Sequence, residues 1–355
     1  MSAVDFGRRV VALRVGGGRI SGRIDIRVTT MVAVLAVGVC VCFVAALLLG
    51  DYHIPPGQVL RALFAEPSTF LERRQAYVVG KRLPRAVLAV LLGIALGVSG
   101  AIIQSLTRNP LGSPDVIGFN SGAYTGALVV IVVFGGGTGY LGTSAGALAG
   151  GVLTALVVYL LAFTRGAQGF RLIVVGIGVS AMLSSVNTWL VLTADLDTAM
   201  AAAAWGVGSL QGEDNGRTAM IVAVVLVVIL LALIPYAARM KVLESGDDAA
   251  AALGVRTEPT RLVLLLLGVG LTAVATAAAG PIAFVALAAP QLAKRLTRAA
   301  GVALVPAAAM GALLLSSSDL AAQWLFPKQL PVGVVTVSVG GAYLVWLIAR
   351  ETTRN

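Results

Sequence analysis

Apolar runs of about 20 residues recur along this chain, and each is as long as an α-helix must be to cross a bilayer. Backbone polar groups need internal hydrogen bonds in lipid, so the runs are expected to be helices. Only 12% of the 355 residues are charged, about half the ~25% of an ordinary soluble domain. This composition excludes a soluble enzyme and a nucleic-acid binder. The sequence predicts an all-α polytopic membrane protein with about ten transmembrane helices, at roughly 30–50, 84–106, 116–134, 139–163, 172–193, 218–238, 260–279, 281–296, 302–322 and 332–349.

Short polar segments flank a single transmembrane domain. We expect an Arg-rich N-terminal segment at 1–29, the transmembrane domain at 30–350 with its largest loop at 239–259, and a tail at 351–355. The run at 281–296 is short and begins with a Gly-Pro pair, which predicts a half-length helix.

Lys and Arg predict the orientation of these spans. An even number of spans puts both termini on one side, and cytoplasmic termini place 18 Lys and Arg inside against 8 outside. The net charge of +10 follows from this bias, so it does not indicate a nucleic-acid partner. Six of the eight outer cations crowd into residues 61–85, against the trend, which points to a function there.

Several spans carry glycines three or four residues apart. This spacing lets helix backbones approach closely where no hydrophobic effect drives their association. The pattern predicts a compact bundle and involves Gly93, Gly97, Gly100, Gly122, Gly126, Gly142, Gly146 and Gly150.

Motifs for energy conversion are missing from the sequence. It has no G-x-x-x-x-G-K-[ST] phosphate-binding loop and no pair of mid-membrane carboxylates of the kind that ion-coupled carriers use. Asp319 is the deepest acid and lies near the outer end of the ninth span. No metal-ligand cluster is evident, so we expect no metal and no cofactor in this chain. Any energy source must then lie on another polypeptide.

The segment Arg82-Leu83-Pro84-Arg85 opens the second span. Pro84 suits a first helical turn, which would place both arginines at the outer mouth. Guanidinium groups bind carboxylates in a fixed fork geometry, so Arg82 and Arg85 are candidates for docking an acidic partner. The alternative is that they reach for lipid headgroups.

The loop at 239–259 contains Glu244-Ser245-Gly246-Asp247-Asp248 followed by four alanines, Leu253 and Gly254. Ser245 and Asp248 have the spacing of a capping box, and Gly254 is placed to end the helix. The sequence predicts a two-turn helix on the cytoplasmic face. This helix either binds a soluble motor protein or serves only as a rigid connector between two spans.

The fifth span carries a polar stripe made of Gly176, Ser180, Ser184 and Asn187. Residues three or four apart share one face of a helix. In lipid such a face meets protein or a water-filled cavity, and both pore lining and helix packing remain open.

A separate turn at 109–115 contains two prolines and a glycine, and Ser113 is expected to cap the third span.

Five segments together resemble the FecCD-type permease family, which imports iron–siderophore complexes and cobalamin. The sequence is most similar to the ferric-enterobactin branch of that family. The resemblance rests on RLPRAVLAVLLGIALGVSGAIIQSLTRNPLGSPDVIGFNSGA at 82–123, RLIVVGIGVSAML at 171–183, GDDAAAALGV at 246–255, AGPIAFVALAAPQ at 279–291 and SDLAAQWLFPKQLPVGVVTVSVGGAYLVWLI at 318–348.

The resemblance implies the type II ABC importer permease fold in a bacterial cytoplasmic membrane. Two permease subunits would form one path through the lipid, and the second is expected to be a homologue of this chain. A separate pair of ATP-binding subunits would hold ATP and Mg²⁺, and an extracytoplasmic siderophore-binding protein would deliver the ferric siderophore. On this resemblance Arg82 and Arg85 pair with glutamates of the binding protein, and the fifth helix lines the path. The loop with Ser245, Asp247, Asp248, Leu253 and Gly254 contacts the ATPase.

Two departures from the family pattern concern polar positions. Gln291 stands where the family usually has a histidine, and Gln323 stands where cobalamin-type members have an arginine. Cobalamin is therefore the less expected cargo. The competing functional hypotheses are a secondary carrier driven by ion gradients and a membrane scaffold.

Overall fold

A computed structural model describes residues 10–15, 20–50, 52–134, 139–162, 169–212, 215–299 and 301–352. Ten of its helices correspond one to one to the predicted spans. In chain order the elements are β1 (Val10–Val15), β2 (Ile20–Asp25), α1 (Ile26–Leu48), α2 (Pro56–Phe64), α3 (Phe70–Thr107), α4 (Phe119–Val133), α5 (Gly139–Ala162), α6 (Gly169–Thr193), α7 (Leu196–Gly206), α8 (Asn215–Glu244), α9 (Asp247–Ala252), α10 (Thr257–Ala279), α11 (Val285–Thr297), α12 (Leu304–Trp324) and α13 (Val332–Thr352).

The N-terminal segment contains two strands that the all-helical prediction did not include. β1 and β2 pair in antiparallel register, with Val10 opposite Asp25 and Val15 opposite Ile20. β2 leads directly into α1, where the Asp25 carboxylate accepts hydrogen bonds from the backbone N–H groups of Arg27 and Val28. This cap starts α1 at Ile26, four residues before the predicted span.

Seven helices of the described ranges are long and apolar enough to cross a membrane. The chain is thus a multi-pass membrane protein. α4 and the apolar part of α13 are shorter, and α11 has 13 residues. The half-length helix predicted at 281–296 is present as α11, preceded by a turn that contains Pro281.

α3 is the central helix of the bundle. Its 38 residues correspond to about 57 Å of helix, well beyond the about 30 Å of a bilayer core. In the most apolar part of α3, 78% of the residues are buried, against 11% in the corresponding part of α1. Leu92 and Leu96 of α3 pack with residues of α8, α10, α11 and α12 in one apolar cluster.

Small residues bring α3 and α12 into backbone contact. A Cβ atom on Gly93 or Gly97 would overlap the backbone of α12 at Gly311 or Ala307. α4 and α5 cross in the same way, where Gly126 meets the backbone of Gly146 and Gly150. The spacing of glycines therefore predicted close helix crossings correctly.

The bundle has two ends, which we name by their elements. The hairpin end holds the start of α1, α9 and the last turns of α3, α8 and α11. There the Arg27 side chain donates to the Leu296 carbonyl, and Ser105 donates to Glu244. The opposite end holds α2, α7 and the last turns of α1 and α12.

We predict that Gly311→Ala destabilises the protein by roughly 1–3 kcal/mol, because the added methyl group overlaps the Gly93 carbonyl at the crossing. The matched control is Gly178→Ala on α6, where a Cβ meets no atom within 4 Å. Thermal unfolding of the detergent-solubilised protein measures the difference. Equal melting temperatures for the two variants would contradict the close crossing.

Candidate functional site

Arg82 and Arg85 lie at the opposite end of the bundle, and both side chains are engaged within the chain. The Arg82 guanidinium donates to the carbonyls of Leu47 and Tyr52 at 3.0 and 2.9 Å. Leu47 belongs to the last turn of α1, whose carbonyls have no helical partner. Arg82 therefore caps α1 and fixes the chain that leads from α1 to α2.

Arg85 forms a two-pronged ion pair with Asp319 of α12. Its Nη2 lies 2.8 Å and its Nε 3.2 Å from Asp319 Oδ1. The Asp319 side chain is 3% exposed and that of Arg85 is 14% exposed. Gln323, one turn later on α12, donates to the second carboxylate oxygen at 2.8 Å. The sequence singled out each of these polar residues without indicating that they form one group.

Pro84 occupies a different position from the one predicted. It lies inside α3, which begins at Phe70, rather than in the first turn of a helix. The apolar pattern starts near 84, but the helix extends further because its earlier turns pack against α2. Thr69 and Glu72 form a capping box that starts it.

The predicted polar stripe on α6 divides into two parts. At one level Gly176 packs against the backbone of Ile117, and Ser180 lies beside Gly118. At the next level Ser184 and Asn187 line a cavity. The residues of the stripe therefore have different surroundings: Gly176 and Ser180 pack against the turn before α4, and Ser184 and Asn187 line the cavity.

The cavity lies between α4 and α6 and has a volume of about 410 Å³. Asn187 is 6% exposed and donates to the Ser121 carbonyl at 3.5 Å. Among the described residues nothing hydrogen-bonds to the Asn187 side-chain oxygen. A buried, unsatisfied amide oxygen favours water or a polar ligand at this position. The lining is Asn120, Ser121, Tyr124, Ser184, Asn187, Thr188, Val191, Leu192 and Pro281.

α7 adjoins the same region at the opposite end. Its Trp205 stacks on Tyr124 of the cavity wall, with ring centroids 6.1 Å apart, and Tyr124 donates to the Ala202 carbonyl. The helix is capped by Asp195. The hydroxyl and the backbone N–H of Thr198 donate to this carboxylate and lower its pKa below the ordinary value.

A half-buried carboxylate next to the cavity, that of Asp115, has a role that the sequence did not indicate. Asp115 accepts hydrogen bonds from the Asn120 side chain and, at 3.1 Å, from the backbone N–H of Phe284. Asn120 in turn accepts from Thr276 of α10. Phe284 has φ 69°, a left-handed conformation that costs energy for a residue with a side chain. Asp115 therefore ties the strained start of α11 to the turn before α4.

Ser113 does not cap the third span as predicted. Its hydroxyl accepts a hydrogen bond from the backbone N–H of Val116 within the turn, and Gly118 is the N-cap of α4.

α9 lies at the hairpin end and matches the predicted short helix, with one correction. The predicted capping box at Ser245 and Asp248 is wrong, because the N-cap is Gly246, which adopts φ 115° and has no side chain. The predicted stop at Gly254 is correct. Gly254 N–H and Val255 N–H donate back to the carbonyls of Ala251 and Ala250, as in a Schellman motif.

Asp247 anchors α9 to the bundle. Its carboxylate accepts from Arg108, directly after α3, and from Arg261 of α10. Glu244 accepts from Ser105 and from the backbone of Val302. Leu253, by contrast, is 70% exposed. Ser245, Asp248 and Gly254 are also exposed, so α9 is firmly held on one side and open on the other.

Sequence comparison gives the following relatives. Residues 26–350 match the profile of the FecCD transport family. The chain is 50% identical over 308 residues to the ferric enterobactin transport system permease protein of Escherichia coli, covering 86% of this chain and 91% of that protein. It is 35% identical to an iron(3+)-hydroxamate import system permease protein of Bacillus subtilis, covering 90% of this chain and 96% of that one.

Structure comparison gives the same picture. The fold matches a solved structure described as an inward-facing conformation of a metal-chelate type ABC transporter, with a TM-score of 0.78 and 25% sequence identity. The match covers 91% of this chain and 99% of the other.

We predict that the Arg85–Asp319 pair is energetically coupled. Arg85→Gln leaves the buried Asp319 carboxylate without its cation, and Asp319→Asn leaves the guanidinium without its anion, each expected to cost roughly 3 kcal/mol. The double variant should be destabilised by clearly less than the sum of the two. Thermal unfolding of the three purified variants provides the test, and strictly additive losses would show that the two residues act independently.

Proposed function

Because the chain belongs to the FecCD transport family, we propose that it is the permease subunit of an ATP-binding-cassette importer whose cargo is a ferric siderophore. The observation that carries the proposal is the 50% identity to a ferric enterobactin permease, over 91% of that protein's length. The cargo class is inferred from the relatives. The geometry of this chain supports three proposed contact regions: the cavity between α4 and α6, the short helix α9, and the pair Arg82 and Arg85.

The orientation in the proposal places the hairpin end in the cytoplasm and the opposite end outside a bacterial cytoplasmic membrane. The excess of Lys and Arg assigned to the hairpin end supports it. ATP and Mg²⁺ belong to a partner pair of ATP-binding subunits, since the sequence lacks a phosphate-binding loop.

The cavity between α4 and α6 is the proposed half of the translocation path. Ser184 and Thr188 are exposed on this face of α6. The Thr188 hydroxyl donates to the Ser184 carbonyl, whereas lipid would leave the Ser184 hydroxyl poorly solvated. A second permease, proposed to be a homologue, covers this face and closes the path. Ser184 and Asn187 present weak polar contacts to the passing chelate, while Gly176 and Ser180 hold α6 against the turn at 117–118.

α9 is the proposed contact with the ATPase. The exposed Leu253 offers an apolar anchor to a soluble partner. Asp247 forms ion pairs with Arg108 and Arg261. When the ATPase moves α9, these ion pairs transmit the movement to α3 and α10. Movement of these packed helices would then change the side of the membrane to which the cavity opens, as in rigid-body alternating access.

Arg82 and Arg85 are proposed to support docking of the extracytoplasmic binding protein. Their guanidinium groups already bind the α1 carbonyls and Asp319. We therefore propose that they act mainly by fixing the ends of α1 and α12 against α3, which supports the surface on which the binding protein rests.

The importer hypothesis predicts uptake that needs ATP but no ion gradient. Proteoliposomes that contain this chain, its partner permease and the ATPase should accumulate ferric enterobactin when ATP is enclosed and the binding protein is added. A protonophore should leave the rate unchanged, because nucleotide hydrolysis drives the step. Accumulation by this chain alone, driven by a proton or sodium gradient, would establish the secondary carrier instead.

Leu253→Arg is predicted to release the ATPase, because a charge replaces the exposed apolar anchor without disturbing a buried contact. Co-purification of the ATPase with the permease should fall to a small fraction of the wild-type level. Leu325→Arg is the matched control, since Leu325 is 75% exposed at the opposite end. An undiminished ATPase band for Leu253→Arg would remove α9 from the proposed contact.

A further inference from the structure

The first turns of α3 form a helical extension at the opposite end. Residues 70–84 precede Arg85 and correspond to about 22 Å of helix. Arg85 pairs with Asp319 close to the end of α12, so the extension continues past the point where α12 ends. α2 packs alongside it, with Val59 and Val79 in a common apolar cluster and Gln75 donating to Gln58 at 2.7 Å.

One face of this extension is exposed. Phe70, the adjacent pair Arg73 and Arg74, Tyr77 and Lys81 recur every three or four residues, so they lie along a single stripe. We call these five residues the outer stripe. Phe70 is 84% exposed and Tyr77 is 68% exposed. The other face is buried against α2, where Val79 is 1% exposed.

The composition of the outer stripe is typical of a protein-binding surface. Aromatic residues and arginine are enriched where proteins meet, and they provide most of the binding energy. The acid nearest the stripe, Glu72, is turned away, because its carboxylate accepts from Ser68 and Thr69 in the capping box. Arg74 lies over the ring of Tyr52, 4.8 Å from its centroid, which holds that cation in place.

We propose that the outer stripe is the surface that recognises a soluble protein carrying carboxylates around an apolar patch, namely the binding protein of the importer. This inference rests on the proposed function. Charge complementarity favours an acidic partner. The position on a helix that projects beyond the end of α12 favours a soluble partner over lipid. Arg82 and Arg85 bind carbonyls and a carboxylate of the bundle, whereas the three cations of the stripe lie at the surface, where they supply the long-range attraction.

The stripe also has a direct mechanical connection to the other end. α3 runs without interruption from Phe70 to Thr107, and the next residue, Arg108, binds Asp247 of α9. A protein seated on the stripe would therefore press on the same helix that holds the proposed ATPase contact.

The test uses the complete importer in lipid nanodiscs and the purified exported binding protein loaded with ferric enterobactin. Two variants separate the contributions: Arg73→Glu reverses one charge, and Phe70→Ala with Tyr77→Ala removes the aromatic anchors. Each should raise the half-saturating concentration of binding protein for uptake by about tenfold and leave the maximal rate unchanged. Raising salt from about 50 to about 500 mM should weaken wild-type docking, and should do so less for Arg73→Glu.

Arg61→Glu serves as the matched control, since Arg61 is an exposed cation on α2 at the same end and lies outside the stripe. Unchanged half-saturation in both stripe variants, or an equal effect of Arg61→Glu, would overturn the assignment. So would loss of permease pairing in the stripe variants, measured by mass photometry, because the stripe would then face the second subunit. Failure of the proposed function is a separate result, in which the wild-type complex itself shows no uptake that depends on ATP and the binding protein.

Discussion

Close backbone contact between helices is the constraint on which this structure depends. Within lipid, apolar side chains gain little by leaving one apolar environment for another, so packing has to come from shape. Gly93, Gly97 and Gly311 allow α3 and α12 to touch along their backbones. That contact buries α3 in the middle of the bundle and places Arg85 beside Asp319. The ion pair at one end and the arginines around Asp247 at the other both follow from the central position of α3.

Much of the fold could be predicted because hydrophobic length is a direct signal. Each of the ten predicted spans has a helix in the structure, and the short run at 281–296 is a short helix. The boundaries were less predictable. The extension of α3 before Pro84 is helical because it packs against α2, a tertiary effect that hydropathy does not record. The N-terminal strands lie in a segment for which we predicted only an Arg-rich, polar character.

The candidate site was predictable residue by residue but not as an arrangement. Arg85, Asp319 and Gln323 were each visible in the sequence, yet they are joined across α3 and α12, 234 residues apart for the ion pair. Ser245 and Asp248 had the right spacing for a capping box, but the left-handed region at Gly246 starts the helix one residue later. The polar residues of α6 recur with one regular spacing along the sequence. In the structure, however, the first two contact the turn at 117–118 and the last two line the cavity. The turn that contains Asp115 was recognised, but its role was not, because Phe284, to which it binds, lies 169 residues away.

Because α3 is one continuous helix, the direction in which its exposed extension faces is fixed relative to the direction in which its buried part faces. Each residue turns an α-helix by about 100°. A single insertion between Tyr77 and Leu88 would therefore swing the exposed aromatic face of the extension towards α2, or drive Leu88 and Leu92 out of the core. Only additions that complete whole turns, such as seven residues for about two turns, preserve both faces at once. The length of this extension beyond Arg85 is therefore expected to change only in such steps.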